Sequence, residues 1–516
     1  MMVRWIRLAP VVAILVLAAA LRLLYFTAPL ADAHRWRQID NATIARYFAE
    51  GPFDIFHPQV NWGGPGDASV EMELPLLPAI VALFYKIFGE NYLFARAVVI
   101  AFSLATVVAL YALGRRVFGE AAGRAAAFLF AISPTAVYFG RAVIVDTPTV
   151  FFSVVAILAF LIYTETDEPK FAVLGGICLA LAWMVKLPAF LTFGPVAFIG
   201  LRARRLAIFR DPWFMGALAF AFVSTALWYW HANNLYLRTG LTVGIWRGAG
   251  TYPGVLGELA GPTTTFTGWS TRELLASGEW WRTLFTRFWM MHLTPAGFVL
   301  TAIGCLLAVR VPRASVIYVW LAATVSFVFA VGTGNLGHEY YQLPVLAPAA
   351  LFFGVAAAPM FDGEFLRRRI GVVGPLAAAV ALTILGVISF SESFVVRNFF
   401  RPELLDYRPI EAGAAIDEAI PRDALLIVVE FAASDNAANA PMLLYHSRRK
   451  GWSFDLRGLT AEAVQELRMR GAEYFATIVW SELQQIQPHF ARYLETQEEV
   501  QLLNPPKDTR VFRLVR

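Results

Sequence analysis

Asp32, His34, Arg37 and Asp40, side chains able to handle a proton or a phosphate, fall within one short run, Asp32-Ala33-His34-Arg35-Trp36-Arg37-Gln38-Ile39-Asp40. An aspartate within hydrogen-bond reach of a substrate hydroxyl can accept its proton. A guanidinium fork matches the oxygens of a phosphate. The same residue types recur further along: Glu71 and Glu73 ahead of Leu74-Pro75, Arg141 and Asp146 in Gly140-Arg141-Ala142-Val143-Ile144-Val145-Asp146-Thr147-Pro148, Lys186 in Trp183-Met184-Val185-Lys186-Leu187-Pro188, and His338-Glu339-Tyr340-Tyr341. Each has a plainer reading beside the chemical one. Arg37 and Asp40 are three apart and make a solvated ion pair on one helix face. Asp146 caps a helix opening at Pro148. Lys186, set among otherwise apolar residues, either snorkels to headgroups or marks a functional site. Glu73 and His338 are candidate ligands for a divalent metal, without a spacing signature to support them.

The elements that must position these groups are apolar. The chain has 516 residues, 58% of them AVILMFWYC and only 16% charged, a balance suited to the bilayer rather than to water. The first span runs from Leu8 past Arg22 to Phe26, preceded by Arg4 and Arg7 and read as an uncleaved helix rather than a signal peptide. Apolar runs follow near 93–113, 124–139, 147–163, 171–185, 188–201, 213–231, 289–309, 314–331, 341–358 and 370–391, giving about eleven membrane helices. The stretch Leu74 to Phe88, with two prolines, is short for a span and reads as an interfacial helix.

That reading makes the charges consistent. Arg115-Arg116 with Arg124, Lys170, the Arg202–Arg210 cluster, Arg310 with Arg313, and Arg367-Arg368-Arg369 all become cytoplasmic, as the positive-inside rule requires. The candidate chemical groups then lie on the other side. A first outer loop near 29–92 carries a surface helix with Ile39, Thr43, Arg46 and Tyr47 at helical spacing. A second outer loop near 232–288 holds Trp246, Arg247, Tyr252, Trp269 and Trp280-Trp281, suited to stacking on a sugar or anchoring at the interface. Residues 1–391 form the membrane domain and 392–516 a small extracytoplasmic α/β domain. In the latter, strands are expected at Leu425–Val429, Tyr474–Trp480 and Val511–Val515, and helices at Thr460–Arg470 and Ser481–Thr496. The net charge of +5 comes from Arg clusters between apolar runs, so nucleic acid is not an expected partner. Cys178 and Cys305 sit in apolar stretches as buried small hydrophobes.

Taken in order, these features resemble the polytopic glycosyltransferases of the GT-C type, in the branch related to protein O-mannosyltransferases, the aminoarabinose transferase of lipid A and lipopolysaccharide-modifying transferases. The resemblance rests on the first span ending Arg22-Leu23-Leu24, the acidic first loop with Ile44-Ala45-Arg46, Glu73-x-Pro75, Ala142-Val143-Ile144-Val145-Asp146-Thr147-Pro148, Lys186 between short spans, His338-x-Tyr340-Tyr341-Gln342-Leu343-Pro344, and an outer C-terminal domain. It implies transfer of a sugar from a polyprenyl-phosphate donor to an extracytoplasmic lipid, glycan or protein acceptor, with inversion and a carboxylate base. Where relatives carry Asp-Glu before the Ile-Ala-Arg segment, this chain has Arg37-Gln38. The base assignment therefore passes to Asp40 first and Asp32 second, with Asp146 assisting. Arg37, Lys186, Arg141 and Arg22 are the implied phosphate ligands, and His34, Glu73, His338 and Tyr341 the implied substrate contacts. The resemblance implies no definite cofactor and leaves open a divalent metal held by Glu73 and His338. Two rivals stand beside this reading: a transporter or flippase of a lipid-linked or anionic substrate, which would favour repeats and midplane charges, and a non-catalytic envelope assembly subunit.

Overall fold

A computed structural model of the chain describes residues 2–245, 268–391, 394–400, 405–431, 440–454, 456 and 459–514. Trp246, Arg247, Tyr252 and Arg401 lie outside the described residues. In chain order the first helices are α1 (Met2–Arg22), α2 (Arg35–Glu50), α3 (Leu76–Phe88), α4 (Tyr92–Phe118), α5 (Glu120–Ile132), α6 (Pro134–Phe139), α7 (Asp146–Thr166), α8 (Pro169–Val185), α9 (Phe193–Arg204) and α10 (Pro212–Thr239). Later helices include Thr294–Ala308, Ser315–Ala330, Leu343–Phe361 and Gly374–Ser391. A helix thus lies on every apolar run of the sequence. Five of these segments are individually long and apolar enough to cross a membrane, or up to seven if two bent pairs, Gly278–His292 with Thr294–Ala308 and Gly363–Ile370 with Gly374–Ile388, each count as one span.

The helices divide between two compact units. The first contains Met1–Thr27, Ala95–Trp228 and Gly268–Pro402. Its helices approach closely where side chains are absent: a Cβ on Gly114 would press on Gly123, one on Gly304 on the backbone of Phe352, and one on Gly354 on the backbone of Ala122. Small residues at such crossings are the usual means of packing helices in lipid, where burial of apolar surface offers little drive. Ser133-Pro134 breaks the predicted 124–139 run, because proline opens a new helix while the Ser133 hydroxyl accepts from the Ala136 N–H. Arg22 closes that break. Its Nε donates to Ser103 Oγ at 2.6 Å, Nη1 to the carbonyls of Ala18 and Ala131 at 3.0 Å, and Nη2 to those of Phe130 and Ala136. A fully buried guanidinium is thereby satisfied by carbonyls of α1 and α6 and by those of Phe130 and Ala131 in the last turn of α5.

The second unit collects Ala28–Phe94, Tyr229–Thr267 and Glu403–Arg516. This unit is discontinuous in the sequence. Its sheet contains β1 (Leu425–Val429), β2 (Gly451–Ser453), β3 (Ala472–Thr477), β4 (Glu498–Glu499) and β5 (Arg510–Arg513), in the order β2-β1-β3-β5-β4. β1 is parallel to both β2 and β3, while β5 runs antiparallel to β3 and β4. The expected helix over 481–496 is two, Trp480–Ile486 and Pro488–Glu495, since Pro488 cannot continue the first. One hydrophobic core joins Leu426, Ile427, Phe475 and Phe512 of the sheet with Ile44, Phe48, Trp62, Val70 and Val243 of the segments 28–94 and 229–245. The first loop also docks through its backbone, where the Gly64 N–H donates to the Gly451 carbonyl at 2.8 Å.

α2 departs from the expected surface helix. Every residue from Gln38 to Arg46 is buried, whereas a helix lying on a surface exposes one face continuously. The reason is that α3 and the C-terminal chain cover it within this unit. Arg46 bonds Glu90 at 2.7 Å and the Tyr445 carbonyl at 3.1 Å, with its guanidinium 3.9 Å above the Tyr445 ring.

Candidate active-site groups

In the second unit, Asp40 occupies the first third of α2 and is 5% exposed. The helix begins just after His34, which takes the left-handed conformation at φ 56°. His34 therefore precedes the helix and does not share a face with Arg37. The Asp40 carboxylate accepts a hydrogen bond from the Trp62 indole N–H at 3.1 Å. Burial raises its pKa to about 7, against the opposing pull of the nearby Arg37 charge and the Trp62 bond. The expected Arg37–Asp40 pair on a wet helix face is thus a buried carboxylate modulated by Arg37, whose Nη2 donates to the Val243 carbonyl at 2.5 Å. Asp32, also 5% exposed, accepts from Gln38 Nε2 at 2.5 Å. Gln38 thereby anchors the alternative carboxylate to the same helix. Glu73 is half-buried just before Pro75 and α3.

Trp62 had no signal in the sequence, being twenty-two residues from Asp40. Its role has a measurable consequence. Trp62→Phe removes a hydrogen bond that favours the ionised carboxylate, so the Asp40 pKa is expected to rise by about one unit, equivalent to roughly 1.4 kcal/mol. A pH titration of the Asp40 side chain by isotope-edited infrared spectroscopy checks this, and an unchanged midpoint would rule it out.

In the first unit, three interruptions of helical backbone carry the other groups. Asp146 opens α7, and Lys186 sits in extended backbone between α8 and the short helix Leu187–Thr192. His338 is likewise extended, just before the turn Glu339–Gln342. Lys186 Nζ bonds Asp146 Oδ1 at 2.5 Å and lies 4.8 and 5.0 Å from the ring centres of Tyr340 and Tyr341. His338 stacks on the Tyr340 ring and meets the Tyr341 ring at a tilt of 47°. The ammonium is therefore held by one carboxylate and two aromatic faces, which locks its position and leaves further N–H donors for a second anion. A narrow cleft bounded by Asp146, Thr149, Lys186, Phe327, Tyr341 and Pro344 opens onto it. Tyr340 belongs to this cage although the sequence singled out only Tyr341. Arg141, 1% exposed, lies over Phe400 at 4.6 Å and Tyr138 at 5.2 Å and donates to the Tyr25 carbonyl at 3.4 Å.

Asp146, Lys186, Arg141, Arg22, His338 and Tyr341 belong to the first unit, and Asp32, His34, Arg37, Asp40 and Glu73 to the second. Among the described residues, no three His, Cys, Asp or Glu side chains group as a metal site.

Comparison with known proteins bears on the fold. The chain has the fold of the GT-C glycosyltransferases and is an integral membrane protein. Residues 72–230 match the family model of the dolichyl-phosphate-mannose-protein mannosyltransferases. The structure is similar to that of ArnT from Cupriavidus metallidurans bound to undecaprenyl phosphate, at 14% identity and a TM-score of 0.64, covering 98% of each chain. It is also similar to the oligosaccharyltransferase AglB from Archaeoglobus fulgidus in complex with an inhibitory peptide and a dolichol-phosphate, at 12% identity and TM-score 0.53, covering 98% of this chain and 76% of that one. The mycobacterial arabinofuranosyltransferase AftD matches at 16% identity and TM-score 0.54, over 90% of this chain and 36% of its own. No curated protein matches by sequence.

Proposed function

We propose that the protein transfers a sugar from a polyprenyl-phosphate donor to an acceptor hydroxyl outside the cytoplasm, with inversion at the anomeric carbon. The observation that carries this reading is Asp40, a buried, hydrogen-bonded carboxylate with a pKa of about 7 on the loop helix of a GT-C fold. A general base works best when its pKa lies near the operating pH. Asp40 takes the acceptor proton as the acceptor oxygen bonds to the anomeric carbon. The bond from that carbon to the phosphate oxygen breaks on the opposite face, and polyprenyl phosphate leaves as an anion. Lys186, Arg141 and Arg37 stabilise the charge that develops there, with Asp146 fixing Lys186. Arg22, whose donors are occupied by backbone carbonyls, is assigned to holding the helix break instead. His34, Glu73, His338 and Tyr341 are assigned to substrate contact. The mechanism routes no step through a metal. The bound undecaprenyl phosphate of ArnT and dolichol-phosphate of AglB support a lipid-linked donor.

A strain lacking the gene is expected to accumulate sugar-loaded polyprenyl phosphate and to lose one envelope glycan species, both read by mass spectrometry. Unchanged levels of both would refute transfer. The orientation with about eleven spans has a separate expected result. Reporters fused after Arg369 and after Arg401 read cytoplasmic and external respectively, and the reverse result would invert the sidedness of every group named above.

A further inference from the structure

In the second unit, the end of α2, the segment before β1 and the turn before β2 line a cleft of about 360 Å³ open to solvent. Its wall includes Arg46, Arg422, Arg448, Arg449 and Lys450 against only two acids, Glu50 and Asp423. These cations are not equivalent. Arg449 is fully buried and committed to Asp417 and to the carbonyls of Ser447 and Ile420. Arg46 and Arg448 share Glu90. Arg422 is 77% exposed and reaches Asp417 only at 3.8 Å. Lys450 is half-buried with its Nζ 4.9 Å above the Tyr47 ring, and among the described residues no carboxylate lies within ion-pair distance of it. Arg448 is held at a left-handed φ of 54°, a conformation costly for a side chain of that kind and maintained here by the surrounding structure.

A partly desolvated ammonium, an exposed guanidinium and the buried Asn61 amide around a tyrosine ring make up the donor set for an anion attached to a ring-shaped polar body. We infer that this cleft binds an anionic saccharide, carrying phosphate or carboxylate, through Lys450 and Arg422 with Tyr47 beneath the sugar. The site lies wholly within the second unit, and its occupancy can be read without turnover, so it stands or falls separately from the transfer reaction.

The test uses the full chain in nanodiscs of zwitterionic lipid, where no anionic headgroup competes. Calorimetric titration with a hexose 6-phosphate, a hexuronic acid, the neutral hexose and inorganic phosphate is expected to show the two anionic sugars binding at least tenfold more tightly than the neutral one. Lys450→Gln and Arg422→Gln should each weaken them about tenfold, Lys450→Arg should retain binding, and affinity should fall with salt. Equal affinity in wild type and both Gln variants, or no binding by the wild type, would overturn the site. Inorganic phosphate binding as tightly as the sugar phosphate would overturn the saccharide part and indicate a phosphate site alone.

Discussion

Asp40→Asn is expected to lower sugar transfer by about 10² to 10⁴-fold, the range lost with a general base, while the protein still folds. The substitution keeps the shape of the side chain and an oxygen for the Trp62 indole, so only the proton-accepting capacity is removed. Stability should move in the opposite direction. A carboxylate whose folded pKa is raised to about 7 contributes stability below its unfolded pKa and loses it as pH rises through about 7. At pH 8 the asparagine variant is therefore expected to unfold at the same temperature as the wild type or higher. The wild-type rate should fall about tenfold per pH unit below 7, because only ionised Asp40 accepts the proton. The Asp32→Asn protein should keep that profile. Full activity in Asp40→Asn would remove this residue as the base, and loss confined to Asp32→Asn would transfer the role.

The sequence carried the existence and approximate extent of the apolar helices: α4 begins one residue before the expected 93–113 run and continues five residues past its end, through Arg115-Arg116 to Phe118. It also carried β1, where the short, β-branched-rich run Leu425-Leu426-Ile427-Val428-Val429 reads as a buried strand. What it did not carry was the environment of polar residues. α2 reads as amphipathic because its own composition is polar, and the groups that bury it, Trp62, Val243, Glu90 and Tyr445, come from distant segments. The same limit applies to Arg22, which looks like a phosphate ligand by type and position but finds carbonyls contributed by two helices more than a hundred residues away. Helical spacing predicts which neighbours share a face, not which remote segment arrives to cover it. Lys186 was legible as an interruption of an apolar stretch, and Asp146 as a lone acid, but their pairing was not.

That pairing sets the second large effect. Lys186 and Asp146 are 13% and 5% exposed and 2.5 Å apart, so each is the other's main compensation for leaving water. Lys186→Met removes the ion-pair partner of the buried Asp146 carboxylate and is expected to cost about 3 to 5 kcal/mol of stability, with sugar transfer lost as well. Stability alone would not separate a structural ion pair from a phosphate-binding ammonium. The double variant Lys186→Met/Asp146→Asn does, because it removes both charges and should recover most of the lost thermal stability. Transfer is expected to stay low in the double variant, since no cation remains in the Tyr340–Tyr341 cage to meet a leaving phosphate. Recovery of transfer together with stability would show that Lys186 acts only by balancing Asp146.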